Sequence, residues 1–102
     1  MVLLARAGDS AAGFAQVYPL FSSVRRAPIR LLDDLYVDPA HRRHGVGRAL
    51  LRAVADRAGQ AGAVRVELST DKTNEQAQAL YESEGFVTGL PVRHYLRPIS
   101  LR

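Results

Sequence analysis

The chain has 102 residues, 47% of them hydrophobic and 24% charged, with a formal net charge of +4. That is one domain, near the lower end of what folds alone with a substantial core, and its composition argues against a disordered chain. Cysteine is absent, which excludes disulfides, thiolate metal sites and a cysteinyl acyl-enzyme, and no apolar run approaches the roughly 18 residues of a membrane span. The opening Met1-Val2-Leu3-Leu4-Ala5-Arg6 is too short for the apolar core of a signal peptide, and a cytoplasmic location is the expectation. Lys72 is the only lysine, and the arginines run from Arg6 to Arg102 with one dense group at Arg42, Arg43 and Arg48. A basic balance admits nucleic acid as a partner, but no aromatic-rich basic strand or helix-turn-helix pattern accompanies it.

Taken in order, Val2 to Ala5 reads as a short apolar strand, Gly8-Asp9 as a turn and Ala11 to Tyr18 as the hairpin partner. Pro19 interrupts, and Phe21 to Val24 resumes extended structure. Arg25-Arg26-Ala27-Pro28 reads as a loop and Ile29 or Arg30 to Val37 as the next strand, completing an antiparallel meander. Pro39 stops that strand, and from Val46 the apolar spacing changes from alternation to the helical period. A helix is predicted over Val46–Gln60, ended by Gly59 and Gly62, with Val46, Leu50, Ala53, Val54 and Ala61 as its apolar stripe and an Arg52–Asp56 pair on the other side. Val64 to Ser69 alternates as a strand parallel to Leu31–Val37, the close of a βαβ unit. Thr73-Asn74-Glu75-Gln76 has the form of a capping box, so a second helix starts at Asn74 and ends at Gly85, with Ala77, Leu80 and Tyr81 on one face. Phe86-Val87 and Arg93 to Ile99 are predicted as two last strands, joined through Gly89-Leu90-Pro91.

Two features carry chemistry. A turn containing Gly45 and Gly47 opens the first helix, where unpaired backbone N–H groups and the helix dipole both favour an anion such as a phosphate or pyrophosphate. The other reading is an ordinary strand–loop–helix turn with solvated arginines. Asp33 and Asp34 lie inside an otherwise apolar strand, which is costly unless they are solvated or paired. They are candidates for handling a cationic amine, or carboxylates paired with a nearby arginine. His41, His44 and His94 are isolated, and their spacing defines no metal site.

Arg42-Arg43-His44-Gly45-Val46-Gly47 has the form R-x-x-G-x-G, and with Asp34-Leu35-Tyr36-Val37 before it resembles the acetyl-CoA-binding segment of the GNAT-type N-acetyltransferases. A second block, Asn74 through Phe86, resembles that family's next helix, with its Asn, Ala, Leu-Tyr and Gly-Phe in order. The resemblance spans roughly residues 2 to 98. It implies a single domain over 1–102 of the α+β (α/β) class, a mixed, mostly antiparallel central sheet with a parallel βαβ acyl-CoA-binding unit. It further implies that the family's usual first strand and two helices are lacking, leaving Val2–Ala5 as an open edge and apolar surface for a homodimer partner to cover. A fragment, or a start read too late, are the other accounts of that shortness.

The resemblance also implies roles. Acetyl-CoA is the co-substrate, with no metal, and the reaction is transfer of acetyl to the primary amine of a small molecule by direct attack in a ternary complex. A catalytically inactive acyl-CoA-binding regulatory or structural subunit is the alternative. The pyrophosphate would take N–H groups from His44, Gly45, Val46, Gly47 and Arg48, flanked by Arg42 and Arg43, while Leu35 and Val37 pair with the pantetheine through their backbones. Asn74 serves the pantetheine arm or the helix entry. Tyr81 stands where many relatives hold the general acid, although a core tyrosine is the other reading of it. The run Leu32-Asp33-Asp34-Leu35-Tyr36-Val37 resembles that of polyamine and diamine acetyltransferases, which places Asp33 where a glutamate draws a proton from the amine and Asp34 beside it as a substrate contact. In that family a bulge in this strand splays the sheet to admit the pantetheine.

Overall fold

The computed structural model describes residues 1–22, 26–89, 91, 93 and 95–100. Three strands form an antiparallel meander: β1 (Val2–Ala7), β2 (Ser10–Ser22) and β3 (Ala27–Val37). A 3-10 turn over Pro39–His41 leads to helix α1 (Val46–Gln60), which crosses back to β4 (Val66–Glu67), parallel to β3, before helix α2 (Glu75–Ser83). The sheet order is β1-β2-β3-β4, with β1 as an outer strand.

Amphipathic packing builds the core. Ala15 and Val17 of β2 and Leu32 of β3 meet Leu50, Leu51 and Val54 of α1, all buried. Leu51 and Ala58 are buried where the sequence stripe had Ala53 and Ala61. Ala61 is the C-cap of α1 and exposed, and Gly62 follows it at φ +83°, so Gly62 ends the helix and Gly59 lies within it.

Several strand boundaries differ from the sequence reading, each for a local reason. Pro19 does not interrupt β2. It pairs with Arg30, while β1 reaches no further along β2 than the bond from Val17 N–H to the Met1 carbonyl at 2.8 Å. The proline nitrogen, two residues on, therefore faces an open flank where no ladder bond is lost. Ala27 and Pro28, expected in a loop, begin β3, opposite Ser22 and Phe21. Val24 and Arg25 lie outside the described residues, as do Leu90 and His94. Among the described residues Phe86-Val87 and the Arg93–Ile99 segment form no strand, since the two-residue β4 offers them almost no ladder to join. Tyr95, Leu96 and Ile99 are exposed.

The shortness of β4 has its own cause. Gln16 pairs with Asp34 but Val17 pairs with Leu32, so Asp33 is an extra, unpaired residue in β3. Such a bulge bends and twists its strand. β4 pairs with β3 only before the bulge, at Arg30 and Leu31, and after it the predicted Val64–Ser69 strand has no pairing with Leu35–Val37.

Candidate active site

Beyond the bulge, no strand among the described residues pairs with the side of β3 that faces away from β2. The Asp38 N–H donates to the Ala12 carbonyl of β2 at 2.8 Å, so the adjoining Val37 carbonyl points the opposite way. In an extended strand the Val37 N–H shares that direction, and Leu35, two residues earlier, repeats it. Both residues thus present backbone donors and acceptors to an open edge. Arg42 Nε donates to the Val37 carbonyl at 3.3 Å, placing that guanidinium where β3 gives way to the turn.

At the same end stands the start of α1. Its first ladder bond runs from the Ala49 N–H to the Gly45 carbonyl at 2.9 Å, which leaves the N–H groups of Val46, Gly47 and Arg48 ahead of the ladder. The N-cap is Gly45, which has no side chain to cap them. Gly45 sits at φ +78° and Arg43 at +65°, so two left-handed residues fold the turn. The two glycines do different work: Gly45 supplies the conformation, whereas a Cβ on Gly47 would lie 3.3 Å from Leu80 Cδ2 and 3.7 Å from Val37 Cγ2. Gly47 lets α1 pack closely on α2 and β3. His44 is exposed on the turn and His41 half-buried in the 3-10 turn. Arg48 reaches away, its guanidinium on Ser83 and Glu84.

The bulge also arranges the acids. Leu32 is buried and Leu35 packs against the core, although they are three residues apart, and between them Asp33 and Asp34 are both exposed. Strict alternation would have placed one on each face. Asp34 lies opposite Gln16, on the sheet face away from α1. That face also carries the cross-strand set Leu4, Phe14 and Tyr36, with the Phe14 and Tyr36 rings 5.6 Å apart.

Helix α2 brings in Tyr81. Its N-cap is Asn74, whose Oδ1 accepts from the Ala77 N–H at 3.1 Å. This corrects the capping box: the Thr73 hydroxyl donates to Asp71 at 2.7 Å instead, because the Asp71 carboxylate also takes the Thr73 N–H and closes the preceding turn. Gly85, at φ +91°, follows the C-cap Glu84 as expected. Tyr81 is half-buried against the core, its ring 6.0 Å from that of Phe86, and burial pushes its phenol above the ordinary value near 10. A cavity of about 910 Å³ on this flank is lined by Leu68, Phe86 and Tyr81 among others, and of the predicted site residues Tyr81 alone borders it.

The expected Arg52–Asp56 pair is replaced: Arg52 Nε donates to Glu84 at 2.7 Å, since a sheltered carboxylate on α2 accepts two of its nitrogens while Asp56 is exposed. Two contributors escaped the sequence reading. Glu84 joins arginines more than thirty positions away, a pairing with no local signature. Gly13 had one, a lone glycine in a strand pattern. A Cβ there would lie 2.4 Å from the Tyr36 carbonyl oxygen, so glycine is required for β2 to approach β3 beside the open edge.

A helix start with three amides ahead of its ladder thus stands beside a bulged strand with an open edge. The acetyltransferase (GNAT) family model matches residues 1–86, and the chain belongs to that family. It is 41% identical over 95 residues to the uncharacterized N-acetyltransferase YhfO of Bacillus subtilis, covering 93% of this chain and 64% of that one. To the N-alpha-acetyltransferase RimI of Mycobacterium tuberculosis it is 40% identical over 93 residues, covering 89% of this chain and 55% of the relative. A crystal structure of a probable acetyltransferase superposes with a TM-score of 0.89 at 38% identity, over 99% of this chain and 68% of the other. The chain thus spans less than two thirds of the length of these two sequence relatives.

Proposed function

We propose that the protein is an acetyl-CoA-dependent N-acetyltransferase acting on a primary amine of a small molecule. The observation that carries this reading is the pairing of three uncapped amides at the start of α1 with the free edge at Leu35 and Val37. Together they match a molecule with an anionic diphosphate at one end and an amide-bearing arm at the other. The Val46, Gly47 and Arg48 amides, with those of His44 and Gly45, hold the diphosphate, and Arg42 and Arg43 add positive charge around it. Leu35 and Val37 bind the pantetheine arm in the manner of an added strand, and Asn74 fixes the entry of α2. Acetyl-CoA supplies an activated acetyl thioester.

The remaining residues handle protons. The acceptor nitrogen must be neutral to form the C–N bond, and Asp33, exposed at the bulge, takes its proton directly or through water while Asp34 adds charge that attracts a cationic acceptor. As the C–S bond breaks, the phenol of Tyr81 passes its proton to the sulfur. Like an ordinary phenol, and with burial raising its pKa further, it carries its proton at neutral pH. Backbone N–H groups on the open edge polarise the thioester carbonyl. The outer strand β1, with Val2 and Leu4 exposed on it, serves as a homodimer contact. Calorimetry with acetyl-CoA, followed by thiol release with a panel of diamines, amino acids and peptide N-termini, tests the reading. Saturable binding with thiol release for a small amine supports it. Binding without release for any amine would establish a non-catalytic acyl-CoA-binding domain, and release only with peptides would move the acceptor to a protein N-terminus.

A further inference from the structure

Glu84 is the C-cap of α2, and its carboxylate gathers two arginines from α1. Oε1 accepts from Arg52 Nε at 2.7 Å, and Oε2 accepts from Arg52 Nη2 at 3.3 Å and from Arg48 Nη1. Arg48 Nη1 also donates to Ser83 Oγ at 3.0 Å, and the Ser83 hydroxyl donates to the Leu80 carbonyl at 2.7 Å. The Glu84 side chain is 9% exposed, against 41% for Arg48 and 67% for Arg52, so the acid is the sheltered centre of the cluster.

Each end of this joint is poorly placed on its own helix. Arg48 stands in the first turn of α1, at the positive end of that helix dipole, and Glu84 closes α2 at its negative end. Across the joint the signs reverse, with the acid brought to the start of α1 and the arginines to the end of α2. A pattern unfavourable within each helix has its physical account in the contact between them. Gly47 against Leu80 is the apolar half of that contact. The joint also lies between two parts of the site: the three leading amides of α1 on one side, and Tyr81, three residues before Glu84, on the other. The Glu84 N–H itself bonds the Leu80 and Tyr81 carbonyls at 3.2 and 3.0 Å.

We propose that Glu84 is a positioning residue for acetyl transfer: by holding Arg48 and Arg52 it locks the Tyr81 turn of α2 onto the amide-bearing end of α1, so that proton donor and diphosphate site move as one body. The proposal rests on the acetyltransferase reading above. It assigns the Arg48 guanidinium to the joint and leaves the Arg48 N–H for the diphosphate.

The test is a cycle of E84Q, Y81F and the double variant, with E84D as the conservative control. E84Q should lower kcat about tenfold while changing KM for acetyl-CoA less than about threefold, and the same substitution should cost little further in the Y81F background. E84D, which keeps the charge, should stay within about threefold of wild type. A loss of equal size in both backgrounds, or no loss in either, overturns the proposal. A readout independent of turnover is amide hydrogen exchange, expected about tenfold faster at Leu80 and Tyr81 in E84Q with Leu51–Val54 unchanged. Unchanged exchange at Leu80 and Tyr81 overturns the proposal whatever the activity. A wild-type protein that binds acetyl-CoA, shows this exchange difference and yet transfers to no amine would instead overturn the parent reading.

Discussion

Tyr81 gains its value from where it is half-buried. Loss of hydration disfavours the phenolate, so the proton stays on oxygen until the pH rises through a value above 10. Y81F should therefore lower kcat by about a hundredfold or more with little change in KM for acetyl-CoA, and abolish whatever alkaline limb the wild-type profile shows above pH ~10. Gly45 is a different kind of residue, chosen by backbone angle. At φ +78° any side chain meets open space but a strained main chain, so G45A should lose about 1 to 2 kcal/mol in denaturant unfolding and weaken acetyl-CoA binding alongside. The turn at Gly45 and the packing of Tyr81 beside Leu80 on one face of α2 were legible from residue type and spacing, whereas a proton-donor role for Tyr81 came from the family resemblance. Asn74 was legible at the entry of α2 but not as its cap, because Thr73 offers an equally good capping pattern and the choice turns on Asp71 capturing its hydroxyl.

Helices were easier to read than strands for a physical reason. α1 follows from its own apolar period, and its bounds are those its sequence sets. The strands depend on neighbours: Pro19 stays inside β2 only because its flank is open, and β4 is short only because the bulge at Asp33 turns β3 away from it. The bulge in β3 was expected from the family resemblance, whereas nothing local showed that Arg52 would select Glu84 over Asp56. Two outcomes follow for these elements. G13A should destabilise the fold by about 1 to 3 kcal/mol, read from the denaturant midpoint, because its Cβ would meet the Tyr36 carbonyl at 2.4 Å. The Arg52 and Arg48 guanidinium groups hold the Glu84 carboxyl below its ordinary value. A depressed carboxyl contributes stability that is present above its unfolded pKa and lost as the pH falls through the folded one. The melting-temperature gap between wild type and E84Q should accordingly be widest near neutrality and close in acid below the ordinary carboxylate range.

Over the whole molecule the two sheet faces are unequal. One is covered by α1; the other leaves Val2 54%, Leu4 57% and Leu20 46% exposed beside Tyr18 and Tyr36. Contiguous apolar surface of this kind marks a contact region. Sedimentation should show a homodimer that L4E converts to monomer; a monomeric wild type would remove that assignment without touching the site. The family and its mixed sheet were legible because two motif blocks fix the βαβ unit. That the described residues after Phe86 form no strand was not, since a strand there depends on an edge that the two-residue β4 barely presents.

The central claim is that main-chain amides on two elements hold acetyl-CoA. Titrating labelled protein with coenzyme A and following the amide resonances of Leu35, Val37, Val46, Gly47 and Arg48 tests it most directly. All five should shift together and saturate at one ligand per chain, with Leu51 and Val54 in the middle of α1 little changed. Binding that leaves those five resonances in place, or no binding at all, would contradict the account.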